Sequence, residues 1–285
     1  MGAALDAATQ DLRRCGVPDP RREAEAILGC VLGTDRGGVV ASRPDPLDPQ
    51  AAARFQALLA RRARREPFQY LTGEQEFRGL LFRVDRRVLV PRPETEDLVG
   101  AVLRALPPRA ARIADLGTGS GCIVVSLCHA RPDVAAFALE RSADALEVAR
   151  ENALRHGVEG RIEFRHGDLA EPPREWLGTM DVVVSNPPYV GEAEWAALAP
   201  EVRVHEPKDA LVPGPTGLEA YRSLAPAAWR LLRPGGLVYL ELGYRSEAGA
   251  REAVETAGFS EVAVFPDLRG IPRILRAARA GGPCE

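Results

Sequence analysis

The residues of this chain best suited to chemistry are Ser185-Asn186-Pro187-Pro188-Tyr189. They end a near-continuous apolar run from Met180 through Val182, Val183 and Val184, the pattern of a buried strand. An amide nitrogen is a poor nucleophile because its lone pair is delocalised into the carbonyl. A site that methylates one must grip both N–H protons and aim the lone pair. The Asn186 side-chain oxygen and the Pro187 backbone carbonyl are two acceptors able to do this. The prolines restrict the backbone and hold the carbonyl in one direction. Tyr189 offers a flat face for a planar substrate group. Catalysis would then come from placement and preorganised electrostatics. The proton lost after transfer can leave to water, so no strong base is required. The competing reading is a proline-stiffened turn after a buried strand. It weakens when the other motifs are added.

The second motif is Asp115-Leu116-Gly117-Thr118-Gly119-Ser120-Gly121, after one strand and opening a helix. Glycines let the backbone turn sharply and approach a ligand. The helix that follows presents free N–H groups. The dinucleotide fingerprint is Gly-x-Gly-x-x-Gly, and here the third glycine comes one residue early, which counts against a pyrophosphate site. Asp115 at the strand end suits a cationic ligand better than a phosphate. Glu140 ends the next strand and can accept both hydroxyl protons of a ribose. Asp168, after the third strand, can accept from an adenine amino group, with Leu169 packed on the ring. The alternatives are a ligand-free strand–helix turn and a solvated strand-end carboxylate.

His205-Glu206-Pro207 falls in an expected loop, where it either positions substrate or caps the loop. His129, His156 and His166 lack metal-ligand spacing and read as structural, so no metal site is expected. No Gly-x-Ser-x-Gly elbow or Cys/His arrangement points to a covalent nucleophile.

These residues need a scaffold. Apolar spacing predicts helices over 3–14, 21–32 and 50–65, with Gly33 closing the second and Pro44, Pro46 and Pro49 marking a loop. From Gln75 the period changes, and Phe77, Leu81, Phe82, Val84, Val88 and Val90 predict a β-hairpin or an extended connector. The expected divisions are 1–74, helical and substrate-recognising, 75–92, the hairpin linker, and 93–285, the catalytic domain. Pro91 and Pro93 open a helix with acids in its first turn. Strands are expected at 113–116, 134–139, 162–165, 180–185, 236–242, 259–265 and 271–277, with helices at 120–130, 142–156 and 246–257. This alternation implies an α/β fold with a mostly parallel sheet covered on both faces.

The chain has 285 residues, 46% hydrophobic and 27% charged, which suits a large domain with or without a smaller one. No apolar run reaches the ~20 residues of a membrane span. The first residues lack a basic region, so a secretory signal is not expected and the cytoplasm is the default location. Five cysteines without a Cys-x-x-Cys pair fit reduced thiols; Cys122 and Cys128 read as small core residues. A net charge of −3 argues against a broad basic face for nucleic acid. Lys208 is the only lysine, in keeping with biased base composition. Arg61, Arg62, Arg64 and Arg65 read as a solvated helix face.

Taken together, these motifs resemble class I S-adenosylmethionine-dependent methyltransferases that modify planar nitrogens. More specifically they resemble the bacterial peptide chain release factor glutamine N5-methyltransferases. The matching stretches are Glu66-Pro67-Phe68-Gln69-Tyr70-Leu71-Thr72-Gly73, Glu76-Phe77-Arg78-Gly79-Leu80 and Leu89-Val90-Pro91-Arg92-Pro93-Glu94-Thr95-Glu96. Asp115 to Gly121, Ser185 to Tyr189, Glu206-Pro207 and Asp267-Leu268 with Gly270 and Arg273 complete them.

The resemblance implies a Rossmann-like seven-stranded methyltransferase domain, a small all-helical N-terminal domain and a β-hairpin linker. It implies S-adenosyl-L-methionine as cofactor, contacted by Gly117, Thr118, Gly119, Ser120, Gly121, Glu140, Asp168, Leu169 and Asn186. Asn186, Pro187, Pro188 and Tyr189 would hold the glutamine of a Gly-Gly-Gln motif in class 1 release factors, with Asn186, Pro187 and Tyr189 catalytic. The helical domain would help to recognise that protein partner. The enzyme is expected to act as a monomer, without direct contact to nucleic acid. The chain departs from the family pattern at Glu140, usually Asp, and at Leu169, often aromatic. Neither departure touches the nucleophile site. Ribosomal-protein glutamine methyltransferases and, further off, adenine-N6 methyltransferases also carry Asn-Pro-Pro-Tyr. The Pro91–Glu96 connector favours the release factor enzymes over the former. The lack of a basic groove or target-recognition domain weighs against the latter.

Overall fold

Residues 1–42 and 45–281 are described by a computed structural model; Pro44 and Cys284 lie outside the described residues. In chain order the elements are α1 (Gly2–Arg14), α2 (Pro20–Leu32), α3 (Arg36–Ala41), α4 (Pro49–Ala63), α5 (Phe68–Thr72), β1 (Glu74–Phe77) and β2 (Leu80–Arg83). Then follow α6 (Pro93–Ala105), β3 (Ala111–Leu116), α7 (Cys122–Ala130), β4 (Val134–Glu140), α8 (Ala143–Arg155), β5 (Ile162–His166) and β6 (Met180–Ser185). The remainder is α9 (Glu192–Trp195), α10 (Pro200–His205), α11 (Glu219–Leu231), β7 (Leu232–Glu241), α12 (Glu247–Thr256), β8 (Phe259–Pro266) and β9 (Pro272–Arg279).

The larger of two compact units runs from Gln75 to Leu198 and resumes at Glu206. Its seven-stranded sheet has the order β5-β4-β3-β6-β7-β9-β8. Neighbours from β5 to β7 are parallel, and β9 runs antiparallel to both β7 and β8. Strand order reverses between β3 and β6. In open α/β sheets, ligands bind beyond the carboxyl ends at such a switch point. Two apolar clusters cover the sheet. One contains Phe77, Phe82, Leu98, Val124 and Ile113. The other contains Trp176, Tyr221, Leu224, Val183 and Leu240.

From Gln75 on, the two-stranded β1–β2 hairpin belongs to this unit, anchored by edge-to-face packing of Phe77 on Phe82. Val84, Val88 and Val90 do not extend it. They are buried along irregular chain that leads into α6. Helix α11 has no counterpart in the sequence reading. Pro226 lies inside it and removes one helical hydrogen bond, yet Tyr221, Leu224, Ala228 and Leu231 are fully buried along one face. Burial of that face outweighs the local penalty.

The smaller unit is Met1–Glu74 with Ala199–His205. Leu5, Leu12, Ile27, Leu28, Val39 and Phe55 form its core. Gly33 ends α2 in the left-handed conformation at φ 66°, as its position predicts. The short helices α3 and α5 escaped the sequence reading because one or two turns carry too little periodicity.

The arginine cluster is for the most part paired with carboxylates and is not a solvated face. Arg62 is buried, donating to Glu23 at 2.9 Å and to Glu201 at 3.0 Å. Arg65 holds both Glu201 oxygens at 2.6 and 2.7 Å, and Arg61 holds Glu66. Only Arg64 is exposed, and its carbonyl meets His205 Nε2 at 2.9 Å. His205 thus ends a short helix, not a loop. The pattern looked like a solvated face because the carboxylate partner Glu201 is 139 residues away from Arg62. Removing one member of a buried ion pair strands the other, at a cost of roughly 3–5 kcal/mol. Arg62→Ala is therefore expected to lower the urea midpoint of the helical unit markedly. A midpoint within error of the parent would show the network to be stabilisation-neutral.

Candidate active site

A cavity of about 980 Å³ opens beyond the carboxyl ends of β3, β4, β5 and β6. That size suits a drug-sized or nucleoside-sized ligand. Its walls include Gly117, Thr118, Gly119, Ser120, Glu140, Asp168, Leu169, Asn186 and Pro188. Four separate chain segments expected to bear the site thus converge on one space. Gly121, Pro187 and Tyr189 are not on its wall. Gly121 faces α8, where an added Cβ would stand 3.2 Å from the Ala149 Cα, so this glycine lets helix and loop pack closely. Pro187 is buried.

The glycine loop is shaped by main-chain bonds. Gly117 N–H and Thr118 N–H both donate to the Leu139 carbonyl, at 2.8 and 3.2 Å. Gly117 and Gly119 take φ of 75° and 56°, and a Cβ on either would meet nothing within 4 Å. The backbone there is open to close approach by a ligand. Glu140 has a structural duty the sequence did not reveal. One carboxylate oxygen accepts from Gly119 N–H and the other from Ser142 N–H, each at 2.9 Å. Each oxygen retains a further lone pair.

Asp115 is fully buried in β3. One oxygen accepts from Thr118 Oγ1 at 2.6 Å; the other has no hydrogen-bond partner among the described residues. Burial pushes its carboxyl up to about 7. Asp168 accepts from Ala170 N–H at 2.8 Å, which turns the chain after β5.

Asn186 stands at the end of β6, half-buried, with its Nδ2 3.1 Å from Thr95 Oγ1. Thr95 lies in the first turn of α6 and donates to Glu241 Oε2 at 2.6 Å. The other oxygen of Glu241 accepts from the Tyr189 hydroxyl at 3.3 Å. Glu241 ends β7 and is 1% exposed. Burial pushes its carboxyl up to about 7, against the hydrogen bonds from Thr95 and Tyr189. Tyr189 lies against Gly243, where a Cβ would collide with the ring at 2.6 Å. Only glycine at 243 admits the ring there.

Thr95, Arg92 and Glu241 were given no role from the residues alone. Arg92 lines the cavity and pairs with buried Glu206 at 2.7 Å, while Glu206 also accepts from Val90 N–H. Glu206 thus pins the approach to α6. His156 and His166 bond backbone carbonyls, of Leu81 and Arg141, consistent with structural roles. Cys122 and Cys128 are buried in α7. Among the described residues no cluster could hold a metal, and no helix is long and apolar enough to cross a membrane.

A release factor glutamine methyltransferase of Cereibacter sphaeroides is 45% identical over 276 residues, covering 96% of this chain and 96% of that one. This chain belongs to the release factor glutamine methyltransferase family. The family's member from Geobacter sulfurreducens is 42% identical, covering 91% of this chain and 90% of its own. Residues 3–73 match the PrmC N-terminal domain, and residues 98–216 match the methyltransferase small domain. A methyltransferase from Pyrococcus furiosus shares the fold, with a TM-score of 0.52 at 20% identity over 72% of this chain and 91% of that one.

Proposed function

We propose that this chain transfers a methyl group from S-adenosylmethionine to the side-chain amide nitrogen of the glutamine in a Gly-Gly-Gln motif of class 1 release factors, giving N5-methylglutamine. The observation that carries the reading is Asn186 at the end of β6, on the wall of the cavity that also holds the glycine loop and Glu140. Family membership supplies the substrate class.

The residues present fit the cofactor. The open backbone at Gly117 and Gly119 leaves room for a methionine arm. The spare lone pairs of Glu140 suit vicinal ribose hydroxyls, and Asp168 with Leu169 suits an adenine edge and face. In the fraction of molecules in which it is ionised, Asp115 adds negative potential behind the loop, favouring a cation. When bound, S-adenosylmethionine supplies an electrophilic methyl group. The chain's own part is placement. Asn186 Oδ1 and the Pro187 carbonyl accept the two amide protons, which orients the nitrogen lone pair toward the cofactor side. Pro188 and Tyr189 confine the amide plane. As the N–C bond forms, the sulfonium S–C bond would break with its electron pair staying on sulfur, and one N–H proton of the amide would pass to water. The helical unit at 1–74 is assigned to recognition of the protein partner.

The test is methyl transfer from labelled S-adenosylmethionine to three substrates: a purified class 1 release factor, the same factor with the Gly-Gly-Gln glutamine changed to alanine, and bulk nucleic acid. Label in the first alone is the expected result. Equal label in the alanine variant, or label in nucleic acid, would discard the glutamine reading.

A further inference from the structure

Asn186 can serve a substrate amide only if its side chain presents oxygen, not nitrogen, to the cavity. A terminal amide can flip, and both orientations have nearly the same shape. Something must therefore choose between them. Thr95 Oγ1 has one hydrogen to give, and at 2.6 Å that hydrogen goes to Glu241 Oε2. A carboxylate only accepts, so the Thr95 hydroxyl is left with acceptor capacity alone toward Asn186. It then takes Asn186 Nδ2–H at 3.1 Å and leaves Oδ1 free. The second oxygen of Glu241 fixes Tyr189 by the same acceptor-only rule, at 3.3 Å. We propose that Thr95 and Glu241 are positioning residues, a buried relay that sets the direction of the Asn186 amide and the seat of Tyr189. The proposal rests on the reading of Asn186 as the acceptor for the substrate amide.

Other features agree with this. Thr95 and Glu241 are 2% and 1% exposed, so no water competes for the relay. The main chain at Glu241 is held as well, its carbonyl accepting from the Tyr221 hydroxyl at 2.9 Å. Burial of a carboxylate without a close cation is costly, which a purely structural residue at this position would not require. The groups bearing on its charge are Glu94 from α6, which disfavours ionisation, and Arg273 from β9, which favours it. The hydroxyls of Thr95 and Tyr189 also favour the ionised form. With the carboxyl near 7, kcat should fall as pH drops below about 7, when a protonated Glu241 can donate and the polarity of the relay is lost. Asp115, also near 7, could add a limb of its own, so the variants assign it.

The experiment uses the full chain and five variants: Thr95→Ser, Thr95→Val, Glu241→Gln, Asn186→Ala and the Asn186→Ala/Thr95→Val double. Thr95→Ser keeps the hydroxyl and should hold kcat within about threefold. Thr95→Val keeps the shape and should lower kcat about 10- to 30-fold, with KM for the release factor and Kd for cofactor within about threefold, as expected when an interaction matters mainly in the transition state. Glu241→Gln should lower kcat similarly and abolish the limb near pH 7. In an Asn186→Ala background, Thr95→Val should cost no further rate, because residues acting as one unit are not additive. A second readout needs no substrate. One Asn186 side-chain amide proton should exchange slowly by NMR in the parent, and that protection should vanish in Thr95→Val. Full kcat in Thr95→Val, an equal loss in the Asn186→Ala background, or unchanged protection would overturn the relay. A parent enzyme that fails to label the release factor sinks the proposed function instead, and the exchange measurement still decides the relay.

Discussion

Asn186→Ala is expected to lower turnover about 100- to 1,000-fold while cofactor Kd stays within about tenfold. The magnitude follows from removing one preorganised polar contact to a reacting group, typically worth roughly 2.7–4 kcal/mol in the transition state. Asn186 is well placed for such a contact. It directly follows β6, whose six residues are all buried, so its main chain is anchored on one side. Its side chain is tied to Thr95 and cannot wander. The loss should fall on kcat more than on KM, because the acceptor matters most once the nitrogen begins to lose its delocalised lone pair. Single-turnover kinetics with labelled cofactor, alongside calorimetric Kd, would separate the two. Parent-like turnover in this variant would remove Asn186 from the mechanism.

Glu140→Ala is expected to weaken cofactor binding about 30- to 100-fold. Two effects combine. The carboxylate receives Gly119 N–H and Ser142 N–H, so its removal frees the glycine loop as well as losing any bond to a ribose. Hydrogen bonds to charged groups are worth roughly 1.5–3 kcal/mol each, and part of that loss is recovered by water in an open cavity. Glu140→Asp retains the charge and should shift Kd by no more than about fivefold. That variant asks whether the longer acid of this chain is an adjustment of reach alone. An unchanged Kd in Glu140→Ala would mean that the acid serves only the loop, and weakly.

Much of the cavity wall comes from segments that stand out before the fold. Gly117 to Ser120, Glu140, Asp168, Leu169, Asn186 and Pro188 lie in motifs where glycine, proline and strand-end acids have local consequences. A positive φ at Gly117 and Gly119 or a rigid turn at Pro187-Pro188 is a property of a few adjacent residues. The alternation of strands and helices was equally visible, since buried strands and amphipathic helices differ in period. The elements that were missed are those where local signal and outcome part company. Helix α11 forms in spite of Pro226 because its other face fills the core. Helices α3, α9 and α10 are too short to carry a period.

Partnership across the sheet was decided only by the tertiary structure. Thr95 and Glu241 are separated by 146 residues, and neither has a neighbour in sequence that suggests the other. An acid at the end of an apolar strand looks like a solvated end. Here the antiparallel pairing of β7 with β9 and the packing of α6 enclose it, and its charge then depends on hydroxyls brought from elsewhere. The same holds for Arg62, whose buried partners Glu23 and Glu201 come from separate parts of the chain. Residue type and spacing determine which chemistry is available, because covalent structure and local backbone geometry travel with the sequence. Orientation, burial and protonation state are set by groups distant in sequence, because electrostatics and packing act through space.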